Sequence, residues 1–203
     1  MQTEKSFIPK KLILASQSPR RHSLIKKLNI DFDVIVSDYE EKLSSDDYTD
    51  EVINSLSLNK ALSVLEKLKK ADISLYKNRL IVSADTMVVL DNKIYGKPKD
   101  ENCAKKMLKE LSGKTHFVAT SISVVDVDTE KSLSRVVKTY VTFQNLSDEL
   151  VESYVKERKP LDKAGAYGIQ EMGSEFIKSV DGDLENVIGL PTKALKQMLE
   201  EFM

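Results

Sequence analysis

The chain of 203 residues has one cysteine, no tryptophan and two histidines, and these shortages remove whole classes of chemistry at the outset. A lone Cys103 excludes an internal disulfide and suits a reducing compartment; in its apolar helical setting it reads as a small buried hydrophobe rather than a nucleophile. His22 and His116 stand far apart, so a histidine-rich zinc site is not expected. Neither sign of charge prevails: 31 basic residues against 32 acidic ones leave a formal net charge of -1. Without a global basic field there is no argument for nucleic acid as a partner, and any anion site must be local. No segment reaches the ~18 consecutive apolar residues of a membrane span, and Met1–Lys11 lacks the apolar core of a signal peptide, so a cytoplasmic protein without a membrane partner is expected. Linkers, repeats and low-complexity tracts are missing as well. Residues 1–203 therefore read as a single domain, long enough to bury a sizeable core.

The most informative stretch is Leu12-Ile13-Leu14-Ala15-Ser16-Gln17-Ser18-Pro19-Arg20-Arg21. Its apolar start predicts a strand buried on both faces; Ser18 as N-cap and Pro19 at the first helical position predict a helix running to Leu28, with Asn29 as C-cap. A strand-to-helix elbow points free N–H groups at whatever lies above the strand, and Arg20 and Arg21 add two forked cations, so a polyphosphate is the natural occupant. An ordinary elbow with a solvated arginine pair is the alternative. Phe32–Val36 predicts a second strand, followed by the acidic run Asp38-Tyr39-Glu40-Glu41. If the two strands are parallel, elbow and acidic run meet at one sheet edge, where open α/β sheets bind ligands. There Asp38 or Glu41 could hold magnesium beside substrate phosphates; a solvated acidic loop is the competing reading.

Thr49–Leu68 has apolar residues at helical spacing and predicts a long amphipathic helix. Leu80–Leu90 is an apolar strand interrupted by Asp85. A carboxylate in such a run carries a desolvation cost, so it is paired, metal-bound or used as a base, or else it kinks the strand by bonding its own backbone. Asp91-Asn92 turns the chain into Lys93–Tyr95, and Gly96-Lys97-Pro98 presents another point charge near that strand. Asp100 caps a helix that Gly113 ends. Thr115–Val127 and Lys131–Phe143 are β-branched and predict an antiparallel pair, giving the sheet an antiparallel arm. Ser147 opens a further helix. The small residues of Gly165-Ala166-Tyr167-Gly168, behind Asp162-Lys163, would let backbone approach a ligand, or form a structural turn. No Gly-Lys-Ser/Thr follows to make a P-loop, and the flanking pattern does not suit a KH clamp. Ser174–Val180 and Asn186–Ile188 predict strands joined at Asp181-Gly182-Asp183, and Pro191 starts a last helix.

Leu14-Ala15-Ser16-Gln17-Ser18-Pro19-Arg20-Arg21 resembles the N-terminal signature of the Maf family of nucleoside triphosphate pyrophosphatases. Ser83-Ala84-Asp85-Thr86, Gly96-Lys97-Pro98, Leu111-Ser112-Gly113, Asp162 to Gln170 and Gly189-Leu190-Pro191 are similar to its other blocks, in the same order over nearly the whole chain. The resemblance implies an α/β fold, a mixed β-sheet with flanking helices and an antiparallel arm, shaped like the inosine triphosphate pyrophosphatases, with a cleft between two lobes. It implies hydrolysis between the α and β phosphates to the nucleoside monophosphate and pyrophosphate, with a divalent cation, Mg2+ or Mn2+, as cofactor. It places Asp85 as the catalytic base and a metal ligand beside Asp38 and Glu41, and sets Ser16, Arg20, Arg21, Lys60, Thr86, Lys97 and Gln170 on the substrate. The last block is similar to the branch acting on dTTP and UTP, with Arg20, Thr86 and Gln170 at positions used for substrate choice. Two residues depart from the pattern: Glu171 replaces a glycine and Leu184 an aromatic. Some proteins of this resemblance are linked to arrest of septum formation, so a regulatory nucleotide-binding module is the alternative function. A homodimer is the base-rate oligomer.

Overall fold

The computed structural model describes residues 10–41 and 45–202, so most of the Met1–Lys11 segment, on which the absence of a signal peptide rests, lies outside the described residues. Strand β1, Lys11–Leu14, is buried from Leu12 onward, as its unbroken apolar run requires. It pairs in parallel with β2, Phe32–Val34, on one side and with β3, Arg79–Leu90, on the other. Helix α1, Pro19–Ile25, crosses from β1 toward β2 and relaxes into a 3-10 turn over Lys26–Leu28, which Asn29 ends at φ 53°. β2 is two residues shorter than its sequence predicts. The reason is its partner: the Ile35 N–H donates to the Leu14 carbonyl at 3.2 Å, and beyond Leu14 the chain has already turned into the elbow.

Helix α2, Asp50–Ala71, starts where the Thr49 hydroxyl accepts from the Val52 N–H, and packs its apolar stripe on the sheet. β3 turns through Asp91 and Asn92, both at positive φ, into β4, Lys93–Tyr95. Helix α3, Glu101–Leu111, is capped by Asp100; Cys103 on it is half-buried rather than fully buried as expected. β5, Thr115–Asp126, and β6, Ser132–Phe143, are the long antiparallel pair, followed by α4, Asp148–Arg158, which Ser147 caps. β7, Ile177–Asp181, pairs with β6, and the chain closes with α5, Leu184–Ile188, and α6, Thr192–Glu200. The seven-stranded mixed sheet runs β2-β1-β3-β5-β6-β7, with β4 attached to β3, and helices cover both faces. The mixed α/β fold with an antiparallel arm is the one expected.

A further expectation is corrected. Asn186–Ile188 is helical in α5, not a strand, because Asp183 Oδ1 accepts from the Glu185 N–H at 2.8 Å and opens a helical turn. Asn186 is then pulled into the core, where its amide donates to the Val118 carbonyl at 2.8 Å and to Thr139 Oγ1 at 3.0 Å.

The feature that makes a site is a gap in this sheet. β1 accompanies β3 only as far as Val82, and β4 joins β3 only from Val88, so along that edge Ser83–Met87 have no neighbouring strand. Side chains alternate across a strand, which sends Asp85 toward α2 and Thr86 to the opposite face. Both still border the same gap.

Candidate active site

A cavity of about 750 Å³ opens over the gap. Its walls are the elbow from Ala15 to Arg21, Val36, Ser37, Tyr39 and Glu41 of the segment after β2, Lys60 of α2, Asp85 to Val88 of β3, Gly96-Lys97, and the loops around Asp162–Glu171 and Val187–Gly189.

The elbow is held differently from its sequence reading. Ser18 sits at the N-cap position, but its side chain caps nothing; instead Ser16 Oγ accepts from the Ser18 N–H at 3.2 Å. With only seven residues, α1 offers a short dipole, so charge in the elbow comes chiefly from its two arginines. They have separate duties. Arg21 lies deep and is braced on three sides: Nε donates to the Gly189 carbonyl at 2.9 Å, one terminal nitrogen to Thr86 Oγ1 at 3.2 Å and the other to Ser16 Oγ at 3.4 Å. Burial lowers its pKa from the ordinary value, against the opposing pull of Asp85 and Glu41; a guanidinium nonetheless stays charged. Arg20 is more exposed and reaches across the cavity to Asp162 at 2.9 Å.

Asp85 is buried, and the Lys60 ammonium donates to its Oδ1. The same ammonium contacts Glu41 Oε1 at 2.6 Å, so one lysine bridges two carboxylates. Burial pushes the Asp85 carboxyl above the usual carboxylate range, with Glu41 adding to the rise, while Lys60 and Arg21 oppose it. Glu41 goes the other way: burial acts to raise it, but Lys60, Lys97 and Arg21 together hold it below its ordinary value. Two neighbouring carboxylates are thus pushed in opposite directions by their surroundings.

The family profile described as Maf-like protein matches residues 11–202. The chain belongs to the Maf family. It is 43% identical over 192 residues to the dTTP/UTP pyrophosphatase of Clostridium botulinum (strain Eklund 17B / Type B), covering 94% of this chain and 98% of that one. It is 44% identical over 189 residues to the dTTP/UTP pyrophosphatase of Thermosipho africanus (strain TCF52B), covering 93% and 92%. The dTTP/UTP pyrophosphatase of Dictyoglomus turgidum (strain DSM 6724 / Z-1310) is 41% identical over 194 residues, covering 95% and 96%.

In this Maf chain, Ser16, Arg20, Arg21, Lys60, Asp85, Thr86, Lys97 and Gln170 all line the one cavity, together with Glu41. Lys97 is exposed and has no ion-pair partner among the described residues, so its charge faces the open space. Gln170 stands at the rim, with no hydrogen-bond partner for its amide among the described residues. Asp38 is not brought in: it is exposed and pairs with Lys67 at 2.7 Å, outside the cavity walls.

Two parts of this Maf cleft escaped the sequence reading. Lys163 is buried in the wall with its ammonium 2.8 Å from Asp162 and 3.4 Å from Glu171; the adjacent opposite charges before a small-residue loop were its one signal. Beneath Thr86, the Thr120 hydroxyl lies 3.0 Å away and donates to the Asn186 carbonyl at 2.9 Å, which ties the Arg21 bracket to α5. Neither departure from the family pattern disrupts its surroundings: Glu171 takes part in an ion pair, and Leu184 is an exposed first residue of α5.

The residues suit a divalent cation in donor type. Asp85 and Glu41 present oxygen atoms converging on one ammonium, and magnesium takes one or two carboxylates with water and substrate phosphates completing its shell. Among the described residues no group of three or more His, Cys, Asp or Glu forms an all-protein cage.

Proposed function

We propose that this chain hydrolyses nucleoside triphosphates, dTTP and UTP before others, to the nucleoside monophosphate and pyrophosphate. The observation that carries the reading is a buried, proton-seeking Asp85 at an unpaired strand edge, bordered by Lys60, Arg21, Arg20 and Lys97. The 41–44% identity to three enzymes named for dTTP and UTP supports the same substrates.

Hydrolysis of an α–β phosphoanhydride needs the phosphate charge neutralised, a water aimed in line and a base for its proton. Arg20, Arg21 and Lys97 bind and orient the polyphosphate. Arg21 needs no reorganisation to do so, because Gly189, Thr86 and Ser16 already hold it. Asp85 accepts the proton of the attacking water as the new P–O bond forms and the anhydride breaks, releasing pyrophosphate. Asp85 and Glu41 would hold a divalent cation, Mg2+ or Mn2+, which supplies further neutralisation of the phosphate oxygens when bound. At the rim, the Gln170 amide offers a donor and an acceptor, which suits the imide edge shared by thymine and uracil. No helix among the described residues is long and apolar enough to cross a membrane. A nucleotide substrate and a single thiol fit a cytoplasmic setting.

The test is release of pyrophosphate from dTTP, UTP, CTP, ATP and GTP with Mg2+ or Mn2+, in wild type and Gln170→Glu. The reading expects dTTP and UTP to lead in wild type, and the UTP-to-CTP ratio of kcat/KM to fall in the variant. Tight triphosphate binding without turnover would favour a regulatory binding module instead.

A further inference from the structure

Gln170 is carried on a tight turn. The Glu171 N–H donates to the Gly168 carbonyl at 2.9 Å, closing a four-residue turn with Ile169 and Gln170 at its centre. Both ends of this turn meet one atom of α4. The Tyr154 hydroxyl accepts from the Gly168 N–H at 3.0 Å and donates to Glu171 Oε2 at 3.4 Å. The other Glu171 oxygen lies 3.4 Å from the Lys163 ammonium, whose stem passes under Gly168 so closely that a Cβ there would sit 2.9 Å from Lys163 Cε. The Tyr154 ring is anchored in turn against Phe176, with centroids 5.1 Å apart. Tyr154 is nearly buried, and its hydroxyl pKa is pushed up to about 12 by burial and the nearby Glu171, so it remains a neutral donor and acceptor across the working pH range.

We infer that Tyr154, with Glu171, is a positioning residue for nucleobase selection: its hydroxyl stitches the two ends of the 168–171 turn and so fixes the backbone from which the Gln170 side chain extends. An amide that pairs with two neighbouring groups of a base edge discriminates best when the backbone carrying it is fixed, because a shifting platform lets it reach the wrong edge. The inference rests on the reading of Gln170 as the base-facing residue.

The experiment compares kcat/KM for UTP and CTP in wild type, Tyr154→Phe, Glu171→Gln, Glu171→Ala and Gln170→Ala. Tyr154→Phe keeps the ring against Phe176 and removes only the oxygen. One to two lost hydrogen bonds should lower the UTP-to-CTP ratio about 3- to 10-fold, while kcat on the better substrate changes less than the ratio. Glu171→Ala should lower the ratio in the same direction, and Glu171→Gln, which still accepts from the hydroxyl, should restore most of it. Glu171 is exposed, so its variants report on the ratio even if Tyr154→Phe folds poorly. An equal fall for UTP and CTP would mean a merely structural role and would overturn the inference. A ratio moved by Gln170→Ala but by neither Tyr154→Phe nor Glu171→Ala would overturn it while leaving Gln170 as the base reader. No preference for UTP in wild type, or none lost in Gln170→Ala, would overturn that underlying reading and the inference with it.

Discussion

Replacing Lys60 with methionine keeps the bulk of the side chain and deletes the charge that joins Asp85 to Glu41. Asp85 would then be left ionised in a buried strand with its nearest counter-charge gone, and breaking one side of a buried pair costs about 3–5 kcal/mol. An independent ceiling comes from protonation: neutralising a carboxylate with an ordinary pKa near 3.9 at pH 7 costs about 1.36 kcal/mol for each of roughly 3 pH units, or about 4 kcal/mol. Asp85 is already raised with Lys60 present, so the wild type carries part of that cost, and Lys60→Met should lose less than the ceiling, about 2–3 kcal/mol at pH 7. The pH dependence has a definite sign. The Asp85 pKa is already raised by burial in the folded state, and removing Lys60 takes away the main opposing charge and raises it further. The folded state then binds the proton more tightly than the unfolded chain, so the variant gains stability relative to wild type as pH falls toward the ordinary carboxylate range. Urea unfolding followed by circular dichroism at pH 7 and pH 5 measures both quantities. A variant as stable as wild type at both values would refute the buried-pair account of Asp85.

Other expectations follow from single contacts. Arg20→Ala breaks an exposed pair with Asp162 and should change stability by under about 1 kcal/mol, yet raise KM for triphosphates; equal KM values would return Arg20 to a surface role. Gly165 has φ +65° and a Cβ there would meet Val88 methyls at 2.9 Å, so Gly165→Ala should lower stability by about 1–3 kcal/mol, read by thermal unfolding; no change would show that the loop relaxes freely. His116 is buried, its Nδ1 has no partner among the described residues, and burial pushes its pKa down to about 4. The folded state therefore resists its protonation, and about 3 kcal/mol of stability should be lost between pH 6.5 and pH 4. His116→Gln should flatten that limb of the urea-unfolding profile, and an unaltered limb would assign acid sensitivity to other groups.

Much of this site could be read from sequence because its parts sit on regular elements. The apolar Leu12–Leu14 run read as a strand buried on both faces, and of the two readings of Asp85, partnered or bent onto its own backbone, the structure has the first, with Lys60 and, through it, Glu41. What the sequence hid was non-local. The acidic run offered Asp38 and Glu41 alike, and only the path of the chain past α2 brings Glu41 to Lys60 while turning Asp38 out to Lys67. Asn186–Ile188 had a strand-like look, but a cap from Asp183 and buried amide bonds to Val118 and Thr139 outweighed local propensity. Ser18 had the chemistry of a cap, yet the hydrogen bond was made by Ser16, two residues earlier, inside the turn. The gap along Ser83–Met87 depends on where β1 and β4 stop against β3, a matter of register that no local pattern encodes.

The central claim is that Asp85 takes the proton of the attacking water. Asp85→Asn preserves the shape of the side chain and removes its capacity to accept that proton, and assay at saturating Mg2+ or Mn2+ separates loss of the base from weaker cation binding. Pyrophosphate release from dTTP should fall about 10²–10⁴-fold, with the variant folded by circular dichroism and still binding dTTP by calorimetry. A folded Asp85→Asn protein that releases pyrophosphate at close to the wild-type rate would contradict the account.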